Sequence, residues 1–208
     1  MRFNALVIAT VSILLLPIGG CMGKVRYPNY YSLSIPPAPP LETAAASQTG
    51  TLAVRRFETP AYLRQGRIVY RETPDQIGFY EYHRWATDPG AAISTAVVDS
   101  LRANHSFSLI GPYDSGQRPD YLLTGRVERL DEIDYGGRVR VEARLSAELT
   151  NVRTGAVVWT GSANQTSNVD TRNVNSVVTE MDTAVQGSIQ QLLAGMQEEL
   201  SSKGPGTR

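Results

Sequence analysis

From Arg138 to Leu149 the chain alternates without a break. Val139, Val141, Ala143, Leu145, Ala147 and Leu149 fall on one side, and Arg138, Arg140, Glu142, Arg144, Ser146 and Glu148 on the other. Successive side chains of a strand point to opposite faces, so this stretch fits a sheet with one dry face and one wet face. A dry face needs a cover. Further along the period changes: Val174, Val177, Val178, Met181, Val185, Ile189, Leu192, Leu193, Met196 and Leu200 follow helical spacing between about Arg172 and Ser201. That pattern predicts a long amphipathic helix laid on the sheet.

The remaining elements are shorter. Leu52, Val54 and Phe57 mark a first strand, halted by Pro60. Arg67–Arg71 and Ile77–Tyr82 read as a hairpin around Thr73-Pro74-Asp75. Asp88-Pro89 opens a helix to about Asn104, with Asp as N-cap and Ile93, Val97 and Leu101 on its buried stripe. Strands then follow at Phe107–Ile110, Tyr121–Leu130 and, after the alternating stretch, Val157 to about Ser162; Asp134–Gly137 and Arg153–Gly155 supply turns. The fold class expected is α+β, a mostly antiparallel (mixed) sheet with two helices packed on one face.

The N-terminus sets the compartment. Arg2, the uncharged run Ala5–Leu16 and then Ile18-Gly19-Gly20-Cys21 have the layout of a lipoprotein export signal. The run is shorter than the roughly 20 residues a transmembrane helix needs. Cys21 is the only cysteine of the 208 residues, so no disulfide is available, and an unpaired thiol in an oxidising compartment is explained if lipid caps it. The expectation is cleavage before Cys21 and a covalent lipid on it, with no other cofactor. Two or three acyl chains hold a protein to a bilayer firmly where one does not. Met22 stands where Asp would favour inner-membrane retention in enterobacteria, which points to the periplasmic face of the outer membrane, with the inner membrane as the alternative.

The organisation expected is a signal over 1–20, a lipidated Pro-rich tether over 21–48, one domain over 49–202 and a tail over 203–208. Pro28, Pro36, Pro37, Pro39 and Pro40 make the tether an extended spacer. Tyr30-Tyr31-Ser32-Leu33 interrupts it with strand formers, suited to dock as an edge strand.

Charge and motifs narrow the function. Removing Arg2 with the leader leaves 19 basic against 20 acidic residues, without the clustered basic surface that nucleic acid requires. The chain has no G-x-S-x-G elbow, phosphate loop or H-E-x-x-H. Its two histidines, His83 and His105, have no metal-ligand spacing. Neither catalytic nor metal-binding residues are assigned, and the protein is read as a non-enzyme. One segment stands apart: Tyr62-Leu63-Arg64, Arg67–Arg71 and Phe79–Trp85 interleave rings with arginines. Tyr, Trp and Arg dominate binding hot spots, so Tyr80, Tyr82, Arg84 and Trp85 are the candidate partner-binding residues. The plainer alternative is a hairpin whose rings pack under the helices and whose arginines point to water.

The same segment carries a family likeness. Tyr30–Leu33 shortly after the lipobox, Arg67–Arg71, Gly78-Phe79-Tyr80-Glu81-Tyr82-His83-Arg84-Trp85-Ala86-Thr87-Asp88-Pro89, Asp120–Gly125 and Thr154–Trp159 together resemble the ABC-type transport auxiliary lipoprotein family. The likeness spans nearly the whole mature domain, and Tyr-His-Arg-Trp before Asp-Pro is its most distinctive piece. It implies a non-catalytic outer-membrane lipoprotein beside an ABC permease, its ATPase and a substrate-binding protein of the mammalian-cell-entry (MCE) type. Together these move lipids or other hydrophobic compounds between inner and outer membranes. Self-association is left open. Two other readings stand beside it: a structural lipoprotein partnering a lipopolysaccharide-exporting barrel, and a periplasmic hydrolase. A direct lipid carrier would need a cavity at Val178, Met181 and Val185, positions that tight packing also explains.

Overall fold

The computed structural model describes residues 26–37, 48–116 and 118–202. The leader, Cys21 and the tail beyond 202 lie outside them.

The architecture is α+β, an open eight-stranded mixed sheet with two helices. In chain order the elements are β1 Asn29–Tyr31, β2 Gln48–Val54, a single 3₁₀ turn Leu63–Gln65, β3 Arg67–Arg71, β4 Gly78–Trp85, α1 Pro89–Ala103, β5 Phe107–Pro112, β6 Tyr121–Ile133, β7 Arg140–Asn151, β8 Val157–Asn168 and α2 Val174–Ser202. The long ladders are antiparallel, β6 with β7 and β7 with β8, as the short β3–β4 hairpin is. The remaining pairings are parallel: β1 with β4, β2 with β5, and both β2 and β3 with β6.

β6 organises the sheet. One edge carries β7. The other is shared by three successive pieces of chain: Leu52–Val54 beside Tyr121–Leu123, Glu58 beside Arg126, and Tyr70-Arg71 beside Glu132-Ile133. The Arg55 N–H donates to Leu123 O and the Glu58 N–H to Gly125 O, both at 2.8 Å. The sheet therefore forks, β5 flanking β2 on one branch and β4 with β1 flanking β3 on the other.

The predicted alternation of β7 holds. Val141, Ala143, Leu145, Ala147 and Leu149 are buried under α2, whose fully buried Ser188 hydroxyl donates to Ala143 O at 3.0 Å. The expected N-cap of α1 is present, the Asp88 carboxylate accepting from the Ala91 N–H at 3.1 Å. Both helices feed one continuous core. Gly136 and Gly137, with φ of 81° and 91°, take the left-handed backbone of the turn into β7 that side-chain-bearing residues avoid. Val178, Met181 and Val185 belong to the filled core.

The structure lengthens several predicted strands. β6 continues past Leu130 because a bulge between Val127 and Arg129 lets it re-pair with β7. β8 continues past Ser162 to Asn168, with the buried Ala163 in its dry row beneath α2. The docking expected of Tyr30–Leu33 is present, one residue earlier and shorter: Asn29–Tyr31 forms the edge strand β1, and the Ser34 N–H beyond it donates to Asp182 on α2 at 3.0 Å.

Candidate partner-binding surface

β4 is distorted where its sequence is distinctive. Arg67 pairs with Arg84, but Val69 pairs with Phe79. Two steps along β3 thus match five along β4, and the surplus residues around Tyr80–His83 bulge from the ladder. Bulges re-aim side chains, and here they separate the four candidate residues.

Tyr80 turns inward. Its hydroxyl donates to the Glu132 carboxylate at 2.7 Å, and its ring meets Tyr70 and His83 edge-on, with centroids 5.2 and 5.5 Å away. Burial, then the bond to Glu132, pushes the phenol well above its usual range. Burial likewise pushes the Glu132 carboxyl up, with Tyr80 pulling it back. A small cleft of about 260 Å³ lies beside this pair, lined also by Asp134 and Arg172, which are joined at 2.8 Å. The chain of rings continues outward: His83 Nδ1 and the Tyr31 hydroxyl lie 2.8 Å apart, fastening β1 to the bulge.

Tyr82 remains partly exposed, with the Arg26 guanidinium 5.8 Å from its ring centroid, a cation–π contact. Arg84 is also partly exposed and stands in register between Tyr30 and Arg67. Trp85 does not join them. At 5% exposure it sits in the core, its indole N–H without a partner among the described residues. The accessible part of the surface is thus Tyr82 and Arg84 together with Tyr27 and Tyr30, which are 80% and 64% exposed. Tyr30 belongs to the segment expected to dock as an edge strand and Tyr27 to the expected tether, and the parallel pairing of β1 with β4 brings both here.

The arginines of the hairpin do not all point to water. Arg71 is 7% exposed and reaches Asp131, itself fully buried, at 2.6 Å. Arg129 approaches the same carboxylate at 3.8 Å and binds Glu142 at 2.9 Å, and Arg144 takes the other Glu142 oxygen at 2.9 Å. Burial pushes the Asp131 carboxyl above the ordinary carboxylate range, with Arg71 pulling against it. Tyr62 lies over Arg71, 5.9 Å from ring centroid to guanidinium carbon, and burial raises its phenol to about 12. This is a structural knot on the charged face of the sheet. The sequence held its members but not their convergence.

His83 is bound to Tyr31, and no group of His, Cys, Asp and Glu able to hold a metal occurs among the described residues. No described helix is long and apolar enough to cross a membrane. The geometry offers rings and guanidinium groups for contact.

A family model for the ABC-type transport auxiliary lipoprotein component matches residues 31–193. The chain belongs to that family. The match runs from Tyr31, the last residue of β1, through most of α2, so it takes in β2 to β8 and the Tyr82 and Arg84 side of the candidate surface. Membership makes the protein a membrane-associated lipoprotein with an auxiliary part in ABC-type transport. Its fold is shared with protein XCC0632 from Xanthomonas campestris, of the family DUF330, at 17% identity and a TM-score of 0.73, covering 84% of this chain and 99% of that one. The hypothetical protein CT253 from Chlamydia trachomatis is similar at 9% identity and a TM-score of 0.52, over 74% of this chain and 99% of that one. No curated protein matches the chain.

Proposed function

We propose that the protein is the non-catalytic, lipid-anchored accessory of an ABC transporter that moves lipids or other hydrophobic compounds between the inner and outer membranes. The observation that carries this reading is the family match across nearly the whole domain. In it Cys21 bears the lipid, and the anchor holds the domain at the periplasmic face of the outer membrane. The partner is an MCE-type substrate-binding protein that links the domain to the permease and ATPase. Val178, Met181 and Val185 fill the core, which favours docking over carriage of lipid inside the domain. Tyr82 and Arg84, with Tyr27 and Tyr30, are the contact surface.

The test is crosslinking of the native lipoprotein in membranes, followed by purification and identification of what is bound. An MCE protein and its permease are the expected partners. An outer-membrane barrel alone, or no partner, overturns the reading. Cys21→Ala in the same cells is expected to move the protein from the membrane to the soluble periplasmic fraction, and its retention on the membrane would remove the anchor from the proposal.

A further inference from the structure

In its described ladders the sheet sets arginine directly opposite arginine at two places, Arg129 with Arg144 and Arg67 with Arg84. Like charges in that relation are destabilising. The first pair carries its own remedy. The Glu142 side chain, 11% exposed, gives one oxygen to Arg129 Nη1 and the other to Arg144 Nη2, each at 2.9 Å. One carboxylate serves two guanidinium groups.

The second pair has no such acid. Neither Arg67 nor Arg84 takes part in a salt bridge among the described residues. The Trp85 N–H donates to Gly66 O at 2.8 Å. That bond makes Arg67 and Arg84 a non-hydrogen-bonded pair, the kind whose side chains come closest. On its other side Arg84 is flanked by Tyr30, so the row across three strands reads Tyr30, Arg84, Arg67. Both arginines are partly exposed and Tyr30 is 64% exposed. Arg26 adds a third cation over the Tyr82 ring. Of the other charges on β1, β3 and β4, Arg71 is held by Asp131, and the exposed Glu81 joins neither arginine of the pair.

We propose that the Arg67–Arg84 pair is the seat for an Asp or Glu side chain of the partner protein, one oxygen to each guanidinium as in the Glu142 arrangement. This rests on the reading of the β1–β4 edge as the partner's contact surface, and it adds the chemistry that the surface selects. The repulsion within the pair is borne by the free protein and relieved on docking. Guanidinium groups match the two oxygens of a planar carboxylate, whereas a neutral or cationic segment leaves the two charges opposed. Tyr30 and Tyr82 border the seat with rings, and contacts that exclude water surround the charged anchors of binding hot spots.

The test uses the full-length lipoprotein in native membranes. Arg84→Lys keeps the charge and places an amine in the seat, and a carbodiimide then joins that amine to a carboxylate in contact with it. Mass spectrometry is expected to find the amide between position 84 and an Asp or Glu of the co-purifying partner. Arg67→Gln with Arg84→Gln should lower capture of that partner by formaldehyde about tenfold, the effect of two exposed charge contacts. The melting temperature of this double variant should equal or exceed that of wild type, because a repulsion is removed. A lower one would mean that an acid of the chain itself already serves the pair, and overturns the proposal. Undiminished capture by the double variant overturns it too and leaves the transport reading standing. So does an amide to no protein while formaldehyde still captures the partner, the result that a lipid phosphate in the seat would give. An amide to a second copy of the chain makes that copy the occupant and overturns it likewise. Capture of no partner by either reagent removes the transport reading and this inference with it.

Discussion

The Phe57 ring occupies the space over Gly125: a Cβ built on that glycine would lie 2.3 Å from two of its ring carbons. Phe57, just past the end of β2, is 2% exposed, and it reaches the middle of β6 because the strand lacks a side chain there. Trp159 covers Gly161 of its own strand in the same way, at 2.3 Å. Gly125, Ala147 and Gly161 are cross-strand neighbours, so a row of small residues lets two large rings lie on the sheet beneath the helices.

Gly125→Ala should therefore destabilise the domain by about 1–3 kcal/mol, the usual cost of overpacking a filled core, although alanine is otherwise acceptable in a strand. Urea denaturation measures it. Phe57→Leu in the same chain should recover part of the loss. A Gly125→Ala protein as stable as wild type would mean that the ring is free to move.

Glu132 is held by the Tyr80 hydroxyl in a site whose burial raises its carboxyl pKa. The folded state then binds a proton that the unfolded chain has already lost. The carboxyl's contribution to stability is fully present below the ordinary value of about 4.3 and is lost as pH rises through the raised value. Glu132→Gln keeps an acceptor for Tyr80 and removes the titration. Its melting temperature should exceed that of wild type near neutral pH, with the gap closing as pH falls toward about 4. A gap of constant size across that range would show that the charge of Glu132 is not what matters.

The elements whose side chains repeat cleanly are legible in the sequence. β7 and α2 alternate or turn with strict periods, and both stand where expected. The second half of β8 carries no such signal, because apart from Ala163 the stretch Ser162–Asn168 is polar, and its inward Gln165 and Ser167 are satisfied by Gln191 and Glu180 of α2 rather than by apolar neighbours. The end of β6 is hidden for another reason. A bulge between Val127 and Arg129 shifts the period of two, so that Asp131 pairs across from Glu142 and Glu132 from Val141. Adjacent acids then go to opposite faces. The parallel pairings of β1, β2 and β3 leave no local signal, because they join segments distant in the chain. Spacing alone therefore places neither Tyr27 and Tyr30 beside Tyr82 nor Arg71 beside Asp131.

Arg71 and Asp131 form a pair with side chains 9% and 0% exposed. Arg71 also donates to Pro74 O at 3.2 Å, bracing the turn between β3 and β4. Breaking one side of a buried pair costs about 3–5 kcal/mol, because it strands a charge away from water. Arg129 remains 3.8 Å from the same carboxylate oxygen, so Arg71→Met should fall at the low end of that range, about 3 kcal/mol. Arg71→Met with Asp131→Leu removes both charges and should be more stable than Arg71→Met alone. Denaturation of the wild type, the single and the double variant decides it. A double variant less stable than the single one would show that Asp131 stabilises the fold without Arg71.

The candidate contact residues divide by burial, and the division is measurable. Trp85 packs in the core at 5% exposure, so Trp85→Ala should cost about 3–5 kcal/mol of stability. Any loss of partner binding in that variant should follow the loss of folded protein. Tyr82 and Arg84 are partly exposed. Changing either to Ala should shift stability by no more than about 0.5 kcal/mol, as surface changes do. At a contact surface the same changes should weaken partner crosslinking several-fold, since truncating a hot-spot residue costs about 2 kcal/mol or more. Thermal melts run beside the crosslinking assay separate the two effects. Undiminished crosslinking by a folded Tyr82→Ala, Arg84→Ala double variant would move the partner site away from β4.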